Sequence, residues 1–191
     1  MDKYKIVVFY IIVFIIHTIL LFLCDFNGKN FYENNNNNNN KIYDIAHQNL
    51  PNLSNNNLLR VLMNLYILYL FILICSNNLI YEFLTIHSIF LILRGISINI
   101  TILPKDKNCN NDIDLFTKIL DGHCYDKIFS GHFGITFIMN MLLFKKNIIS
   151  LNYFILSSVV IALIILLIRS HYSIDIFVSF IVCYLIFVIC E

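Results

Sequence analysis

The sequence predicts an all-α, polytopic membrane protein with six transmembrane helices, and two features of its composition point to this fold class. The chain has 191 residues, of which 59% are hydrophobic and only 13% are charged, whereas soluble domains carry about 25% charged residues. The apolar residues also lie in long blocks instead of at an amphipathic period. Six spans of about 20 residues leave room for loops and tails only, so we expect a single membrane domain over residues 1–191.

Each apolar block is about as long as the hydrocarbon core of a bilayer requires. The blocks run from Ile6 to Cys24, Leu58 to Cys75, Leu79 to about Leu103, Phe129 to Phe144, Ile148 to Ile168 and Ile174 to Cys190. Because lipid offers the backbone no water, these spans are predicted to be helices despite their many β-branched residues. The first block is long for a signal peptide and lacks a small-residue cleavage site before Cys24, so we interpret it as a retained span.

Two long polar loops separate these blocks. The loop over residues 25–57 contains seven consecutive asparagines, Asn34 to Asn40, and this tract is predicted to be disordered because it has nothing apolar to bury. His47 lies in the same loop and is assigned no role. The other loop, from Pro104 to Ile128, carries most of the remaining charge. The net charge of +1 gives no electrostatic basis for binding nucleic acid, and the absence of a C-x-x-C pair gives no zinc or redox signature.

The polar residues that are costly in a membrane gather at one face. The end of span three, the start of span four, the end of span five and the start of span six all lie on that face, where the chain has Arg94, His132, Arg169, His171 and Asp175. Ionisable side chains at membrane depth are expensive and indicate a functional site by default. Two of the three arginines in the chain belong to this set, which favours a site over a chance distribution.

The chemistry of this set suits a phosphate ester. His171 and Asp175 are four residues apart at the head of a span, so we expect them on one helix face. A carboxylate there accepts one ring N–H and leaves the other nitrogen as nucleophile or base. His132 follows Ser130 and Gly131 at the start of another span, where backbone N–H groups favour an anion. One histidine would attack phosphorus and the other would move a proton. The alternative is that His171 and Asp175 form only a structural hydrogen bond between helices.

Four blocks of the sequence resemble motifs of the sphingomyelin synthase family. Residues Cys124 to His132 (C-Y-D-K-I-F-S-G-H) resemble its C-G-D-x-x-[YF]-S-G-H block, and His171 to Asp175 (H-Y-S-I-D) resemble its H-Y-[ST]-x-D block. Arg94 to Pro104 are similar to its R-x-I-T-M-x-x-T-x-L-P block, and Leu50 to Asn52 to its L-P-D block. The blocks come in the family's order within six spans, so the resemblance covers nearly the whole chain.

The resemblance implies an enzyme that moves phosphocholine from phosphatidylcholine to the primary hydroxyl of ceramide, giving sphingomyelin and diacylglycerol. Relatives that use phosphatidylethanolamine make ceramide phosphoethanolamine instead. Carried over by position, it implies that His171 is the nucleophile, that Asp175 orients it, and that His132 protonates the leaving diacylglycerol and then deprotonates ceramide. No metal or cofactor is implied.

Substrate contacts are expected from the remaining polar residues of the matched blocks and their neighbours. These are Arg94, Asp126, Ser130, Gly131, Arg169 and Tyr172. Asp126 either holds the head-group cation or positions its loop, and the Tyr172 ring either contacts a quaternary ammonium or packs at the interface. The partners implied are these membrane lipids, without nucleic acid, and a homo-oligomer is compatible with the pattern.

The sequence departs from the family at Tyr125, Phe133 and Asn52, and it has Arg169 where the family usually has another histidine. These departures leave open whether the head group is choline or ethanolamine. A lipid phosphate phosphatase of the same broader superfamily is the closest alternative, but its K-x₆-R-P block is absent. A non-catalytic scaffold or small transporter is a further alternative. A transporter favours helices broken by Gly or Pro at the midplane, and the chain has few of either residue.

Several residues outside the blocks also carry expectations. His17 is expected to be an interior hydrogen-bond partner, and His87 to bond between helices or line a substrate path. His123 lies near the expected head-group region. Cys109 and Cys124 share the site-side loop and could form a disulfide if that face is lumenal.

The family's orientation puts both termini in the cytosol and the site on the lumenal or exterior face, in the Golgi, another endomembrane or the plasma membrane. A plain count of lysines on the loops argues for the reverse. Long loops follow the positive-inside rule poorly, so we keep the family's orientation.

Overall fold

A computed structural model describes residues 2–32, 42–104 and 124–190, and within these ranges all regular secondary structure is helical. The helices are α1 (Lys3–Tyr32), α2 (Ile45–Asn49), α3 (Asn57–Ser76), α4 (Ile80–Ile100), α5 (Gly131–Lys145), α6 (Leu151–Leu167) and α7 (Ser173–Ile189). The asparagine tract, Cys109 and His123 lie outside the described residues.

The six long helices coincide with the six predicted spans, which confirms the all-α membrane fold class. By length and composition, α1, α3 and α4 are long and apolar enough to cross a membrane, while α6 and α7 are shorter apolar helices. Large apolar side chains on the outer surface, such as Ile15 on α1 and Leu156 on α6, are exposed by half or more. Such a surface suits lipid and not water, so the chain is an integral membrane protein.

Helix boundaries follow the capping residues more closely than the edges of the apolar blocks. The Ser130 side chain accepts a hydrogen bond from the Phe133 amide at the start of α5, and Ser150 does the same for the Tyr153 amide at the start of α6. These caps satisfy backbone N–H groups that the helix itself leaves unpaired. Both helices therefore begin two or three residues later than the apolar blocks do.

The first helix is longer than its apolar block. It continues through Asp25 and Lys29, which form an ion pair one turn apart at 3.7 Å, and ends at Tyr32. Gly28 lies directly against the Tyr125 ring, which is fully buried. The loop predicted over residues 25–57 is therefore partly helical, since it contains the last turns of α1 and all of α2.

Helix α5 lies at the centre of the bundle and packs against α3, α4, α6 and α7, while α1 packs along α4. Most α5 side chains are buried, as expected of a helix that is surrounded by others. The N-terminal ends of α5 and α7 and the C-terminal ends of α4 and α6 come to the same membrane face, as the alternation of spans predicts.

Substituting Gly134 with alanine is expected to destabilise the α4–α5 contact. A Cβ at this position would collide with the ring of Phe90, which has no exposed surface and therefore little room to move. Overpacking of this kind costs about 1–3 kcal/mol. Thermal unfolding of the purified protein in detergent measures the loss. The double variant Gly134→Ala/Phe90→Leu is the control, and a double variant no more stable than Gly134→Ala alone would contradict the assigned collision.

Candidate active site

Three parts of the chain meet at one membrane face. They are the last turns of α4, residues 124–130 together with the first turn of α5, and residues 168–172 together with the first turn of α7. These parts hold the residues that the sequence singled out, and each is fixed by contacts of its own.

His171 lies in the non-helical segment just before α7, and its side chain is buried. The ring Nδ1 is 2.7 Å from the carbonyl oxygen of Lys127. A carbonyl can only accept a hydrogen bond, so Nδ1 carries the proton and donates it. In the neutral ring the lone pair then lies on Nε2, which has no hydrogen-bond partner among the described residues. His171 is thus held in the tautomer that a nucleophilic Nε2 requires.

Asp175 lies farther from the same ring nitrogen than the Lys127 carbonyl does. Its Oδ2 lies 3.4 Å from His171 Nδ1, and the same oxygen accepts a 2.8 Å hydrogen bond from the Tyr172 amide. The sequence predicted that His171 and Asp175 share a helix face, whereas His171 precedes the helix and Asp175 lies in its first turn. The proximity of the two side chains therefore comes from the way Asp175 caps α7.

Lys127 joins the two segments through its backbone and its side chain. Its Nζ donates a 2.7 Å hydrogen bond to the carbonyl of Ser170, while its own carbonyl accepts from His171. Ser179 of α7 adds a further link, because its hydroxyl lies 2.7 Å from the Asp175 carbonyl and 3.2 Å from the Ser130 carbonyl. The start of α5 and the start of α7 are therefore held in one arrangement.

The guanidinium of Arg94 is buried, and the structure gives it three partners. Nη2 donates to Asp126 Oδ2 at 2.7 Å, Nε donates to the Phe129 carbonyl at 2.9 Å, and Nη1 lies 2.9 Å from His17 Nε2. His17 is thus an interior hydrogen-bond partner, as predicted. Because a guanidinium has five N–H groups, two of those on Arg94 remain without a partner in the described part of the chain.

The N-terminal turn of α5 lies against Arg94. A Cβ added to Gly131 would be 3.2 Å from Arg94 Nε and 3.3 Å from its Cζ, so the glycine allows the guanidinium to approach the backbone closely. Phe129, just before this turn, has φ 75°, a strained conformation for a large residue. It turns the Phe129 carbonyl towards Arg94. The positive end of the helix dipole and a cation thus lie side by side, which favours an anion between them.

A cavity of about 470 Å³ opens beside these groups. At the site end it is lined by Arg94, Asp126, Gly131, His132 and His171. The rest of its wall is mostly apolar and comes from Phe14, His17, Thr18, Leu21, Asn64, Ile67, Leu68, Phe71, His87, Phe90, Leu91, Ile135 and Met139. The cavity therefore connects a polar end at the membrane face to an apolar part between α1, α3, α4 and α5.

His87 forms the expected hydrogen bond between helices and also lines the cavity. Its Nδ1 lies 3.1 Å from the Tyr10 hydroxyl, which links α1 to α4, and its ring lines the cavity. It is seven residues from Arg94, or about 10 Å along the helix. The cavity thus extends well into the bundle from the polar end.

Three of the predicted substrate-binding residues lie outside the cavity lining. Arg169 is buried and donates a 2.8 Å hydrogen bond from Nη2 to the Leu50 carbonyl. The Tyr172 hydroxyl is 3.4 Å from the Pro104 carbonyl, and its ring packs against the His47 ring at 5.1 Å between centroids. Ser130 is fully buried as the cap of α5. All three support the polypeptide around the site in this structure.

Two residues of the first polar loop, Asp44 and His47, lie directly behind His171, although the sequence indicated no role for either of them. The Asp44 carboxylate accepts hydrogen bonds from the Ser173 amide at 2.7 Å and the Ser173 hydroxyl at 3.1 Å, and His47 Nε2 is 3.1 Å from the His171 carbonyl. Burial alone raises the pKa of the Asp44 carboxyl, but the hydrogen bonds it accepts from His47 and Ser173 hold that pKa below its usual value. Asp44 before a short helix is a recognisable cap, but the sequence does not tell where that helix docks.

The cysteines divide into two groups. Cys124, beside the site, is disulfide-bonded, while its predicted partner lies outside the described residues. Cys24, Cys75, Cys183 and Cys190 are free thiols. Cys183 is fully buried in α7 and packs as a small apolar residue.

The C-terminal part of the chain is similar to a known protein family. Residues 123–191 match the PAP2 superfamily C-terminal family, and this region contains His132, His171 and Asp175. No curated protein sequence matches the chain. The match supports the broader superfamily of membrane lipid phosphatases and phosphotransferases, without distinguishing one family within it.

Proposed function

We propose that the protein transfers a phosphocholine or phosphoethanolamine head group from a glycerophospholipid to ceramide, through a phosphohistidine on His171. The observation that carries this proposal is the pairing of His171 Nδ1 with the Lys127 carbonyl. This pairing leaves Nε2 as the lone-pair nitrogen beside a cavity that also contains His132 and Arg94. The superfamily match, which implies phosphatase or phosphotransferase chemistry on lipids, is consistent with it.

In the first step, His171 Nε2 attacks phosphorus and an N–P bond forms while the P–O bond to diacylglycerol breaks. His132 donates a proton to the departing oxygen, as a general acid. The charge that builds up on the phosphoryl oxygens is stabilised by the N-terminal end of α5 and by Arg94, which lie next to each other. Lys127 O and Asp175 stabilise the positive charge that develops on the His171 ring.

In the second step, the primary hydroxyl of ceramide attacks the same phosphorus. His132, now neutral, takes the hydroxyl proton, and the N–P bond breaks, so that His171 and His132 return to their starting states. Each step moves one head group and one proton, and no further reactant is needed. Water in place of ceramide would give hydrolysis, which is the phosphatase alternative.

The shape of the cavity supports a lipid acceptor. Its charged lining lies at the site end, and the remaining wall consists mainly of apolar side chains from α1, α3, α4 and α5, with His17, Thr18, Asn64 and His87 among them. Acyl chains are favoured in such a space and water is not. An acceptor with long apolar chains would thus be concentrated beside the phosphohistidine.

We also propose that the site faces the lumen of the Golgi or another endomembrane, or the cell exterior. Cys124, beside the site, is disulfide-bonded, and disulfides persist in oxidising compartments. The donor head group would then come from the lumenal or outer leaflet.

The test uses the purified chain in lipid nanodiscs with fluorescent ceramide and either phosphatidylcholine or phosphatidylethanolamine. We expect a ceramide-linked product with one of these donors, and the productive donor identifies the head group. Phosphatidic acid is supplied in parallel, and released phosphate is measured. The Glu82→Gln variant, which alters a half-exposed ion pair near the opposite end of α4, is the matched control and should keep full activity.

Two outcomes would reject the transferase proposal. Phosphate released from phosphatidic acid without any ceramide product would assign the protein as a lipid phosphatase. If the folded protein gave neither product with any of the three phospholipids, a non-catalytic scaffold or a small transporter would be the remaining functions.

A further inference from the structure

We propose that Asp44 and His47 are positioning residues for His171, although both lie in a loop far from it in the sequence. Asp44 and the helix α2 that follows it form a strap over residues 44–49. This strap contacts three consecutive residues, His171, Tyr172 and Ser173. The inference deepens the proposed function and rests on His171 being the nucleophile.

The first half of the strap is a carboxylate that caps two helices at once. Asp44 Oδ1 accepts the His47 amide at 2.9 Å, which caps α2, and Oδ2 accepts the Ser173 amide at 2.7 Å at the start of α7. The Ser173 hydroxyl also donates to Oδ1 at 3.1 Å. Asp44 is only 7% exposed. Because charge-assisted hydrogen bonds are short and strong, Asp44 fixes the start of α7 relative to α2.

The second part of the strap that contacts the site is the His47 ring, which projects from α2 towards His171. Its Nε2 lies 3.1 Å from the His171 carbonyl, so Nε2 must carry a hydrogen and donate it. The ring also packs against Tyr172 at 5.1 Å. The backbone of the nucleophile is therefore held from behind by His47, while its ring is held from the other side by the Lys127 carbonyl.

His171 needs such support because no helix holds it. It lies in a short connection between α6 and α7, and Arg169, two residues earlier, has φ 58°, a conformation that is uncommon for residues other than glycine. Without contacts from other parts of the chain, this connection could adopt several backbone conformations. Since a displacement of about 1 Å in a reacting group can reduce a rate by about 100-fold, the strap has a direct consequence for catalysis.

The test compares three variants in the transfer assay. His47→Leu removes the donor to the His171 carbonyl, His47→Gln restores an N–H donor at a similar reach, and Gln48→Leu is the matched control at the neighbouring exposed position of α2. We expect His47→Leu to lower kcat by about tenfold or more with little change in KM for either lipid. His47→Gln should recover most of kcat, and Gln48→Leu should equal the wild type.

Three results would overturn the proposal. They are a wild-type kcat for His47→Leu, a rise in KM alone, and a loss of activity that only follows the loss of folded protein in thermal unfolding. Single-turnover labelling adds a readout that stability does not control, because a displaced His171 should form the phosphohistidine slowly even when the donor is saturating.

Hydrogen exchange separates the failure of this inference from the failure of the proposed function. Asp44→Asn replaces the carboxylate with a neutral amide, which is a weaker hydrogen-bond acceptor for Ser173. The Ser173 amide should therefore exchange faster than in the wild type. If exchange rises but the wild type transfers no head group, the strap holds the site as inferred and the transferase proposal fails. If exchange at Ser173 is unchanged, the strap inference is wrong whatever the activity.

Discussion

Replacing His171 with alanine is expected to abolish head-group transfer, with a loss of at least about 10³-fold in kcat. The variant lacks the side-chain nitrogen that the Lys127 carbonyl holds in a nucleophilic tautomer beside the cavity. It should also fail to acquire label from a donor with a labelled head group, because no phosphohistidine can form. The measurement is transfer in nanodiscs, together with labelling of the protein after an alkaline quench, which preserves the N–P bond.

A donor with a nitrophenolate leaving group separates the role of His171 from that of His132. Such a leaving group departs without a proton, so it does not need the general acid. We expect His132→Ala to lose about 10²–10⁴-fold with the natural donor but to release nitrophenolate at a rate near that of the wild type in the first turnover. His171→Ala should be inactive with both donors. Wild-type nitrophenolate release by His171→Ala would show that another group attacks phosphorus.

The overall fold could be predicted because the bilayer leaves few choices. Six blocks of sufficient length become six helices, since lipid satisfies no backbone group, and the alternation of spans decides which ends meet. The exact helix ends could not be predicted from the apolar blocks, because they depend on single capping side chains such as Ser130 and Ser150. The extension of α1 to Tyr32 depends instead on packing against Tyr125, a contact that is distant in sequence.

The histidines of the candidate site could be predicted from the sequence, but the groups that they contact could not. The cost of ionisable groups in a membrane identifies His132, His171 and Arg94, and all three line one cavity. The acceptor for His171 Nδ1 is a backbone carbonyl, and every residue has one, so no residue type in the sequence marks it. The contacts of Asp44 and His47 could not be predicted either, because the sequence of a polar loop does not show where the loop docks.

The pairing of Arg94 with Asp126 leads to the second large expected effect. Both side chains are buried, with 7% and 4% of their surface exposed, and their charged atoms are 2.7 Å apart. Removing the carboxylate in Asp126→Ala leaves a cation in the protein interior without its counter-charge, which costs about 3–5 kcal/mol. We expect that loss in the free energy of unfolding, measured by denaturation in mixed micelles. Asp126→Asn should lose less, because it keeps a neutral acceptor.

The ion pair between Glu82 and Lys146 provides a matched control in the same chain. It has nearly the same separation, 2.9 Å, but its side chains are 50% and 46% exposed, and exposed pairs contribute about 0–1 kcal/mol. Glu82→Gln should therefore change the free energy of unfolding by less than about 1 kcal/mol. A loss in Asp126→Ala as small as this would mean that water reaches the Arg94 guanidinium and stabilises it.

A paired replacement then separates folding from catalysis at Arg94. In Arg94→Met/Asp126→Leu both charges are removed together, so no buried charge remains unpaired and most of the stability should return. The same variant has lost the cation that lies against the N-terminal turn of α5, where the phosphoryl group is proposed to bind. We expect it to be folded and at least about 100-fold slower in transfer. Full activity in the stable double variant would restrict Arg94 and Asp126 to a structural role, and the helix N-terminus and the histidines would then bind the phosphoryl group without them.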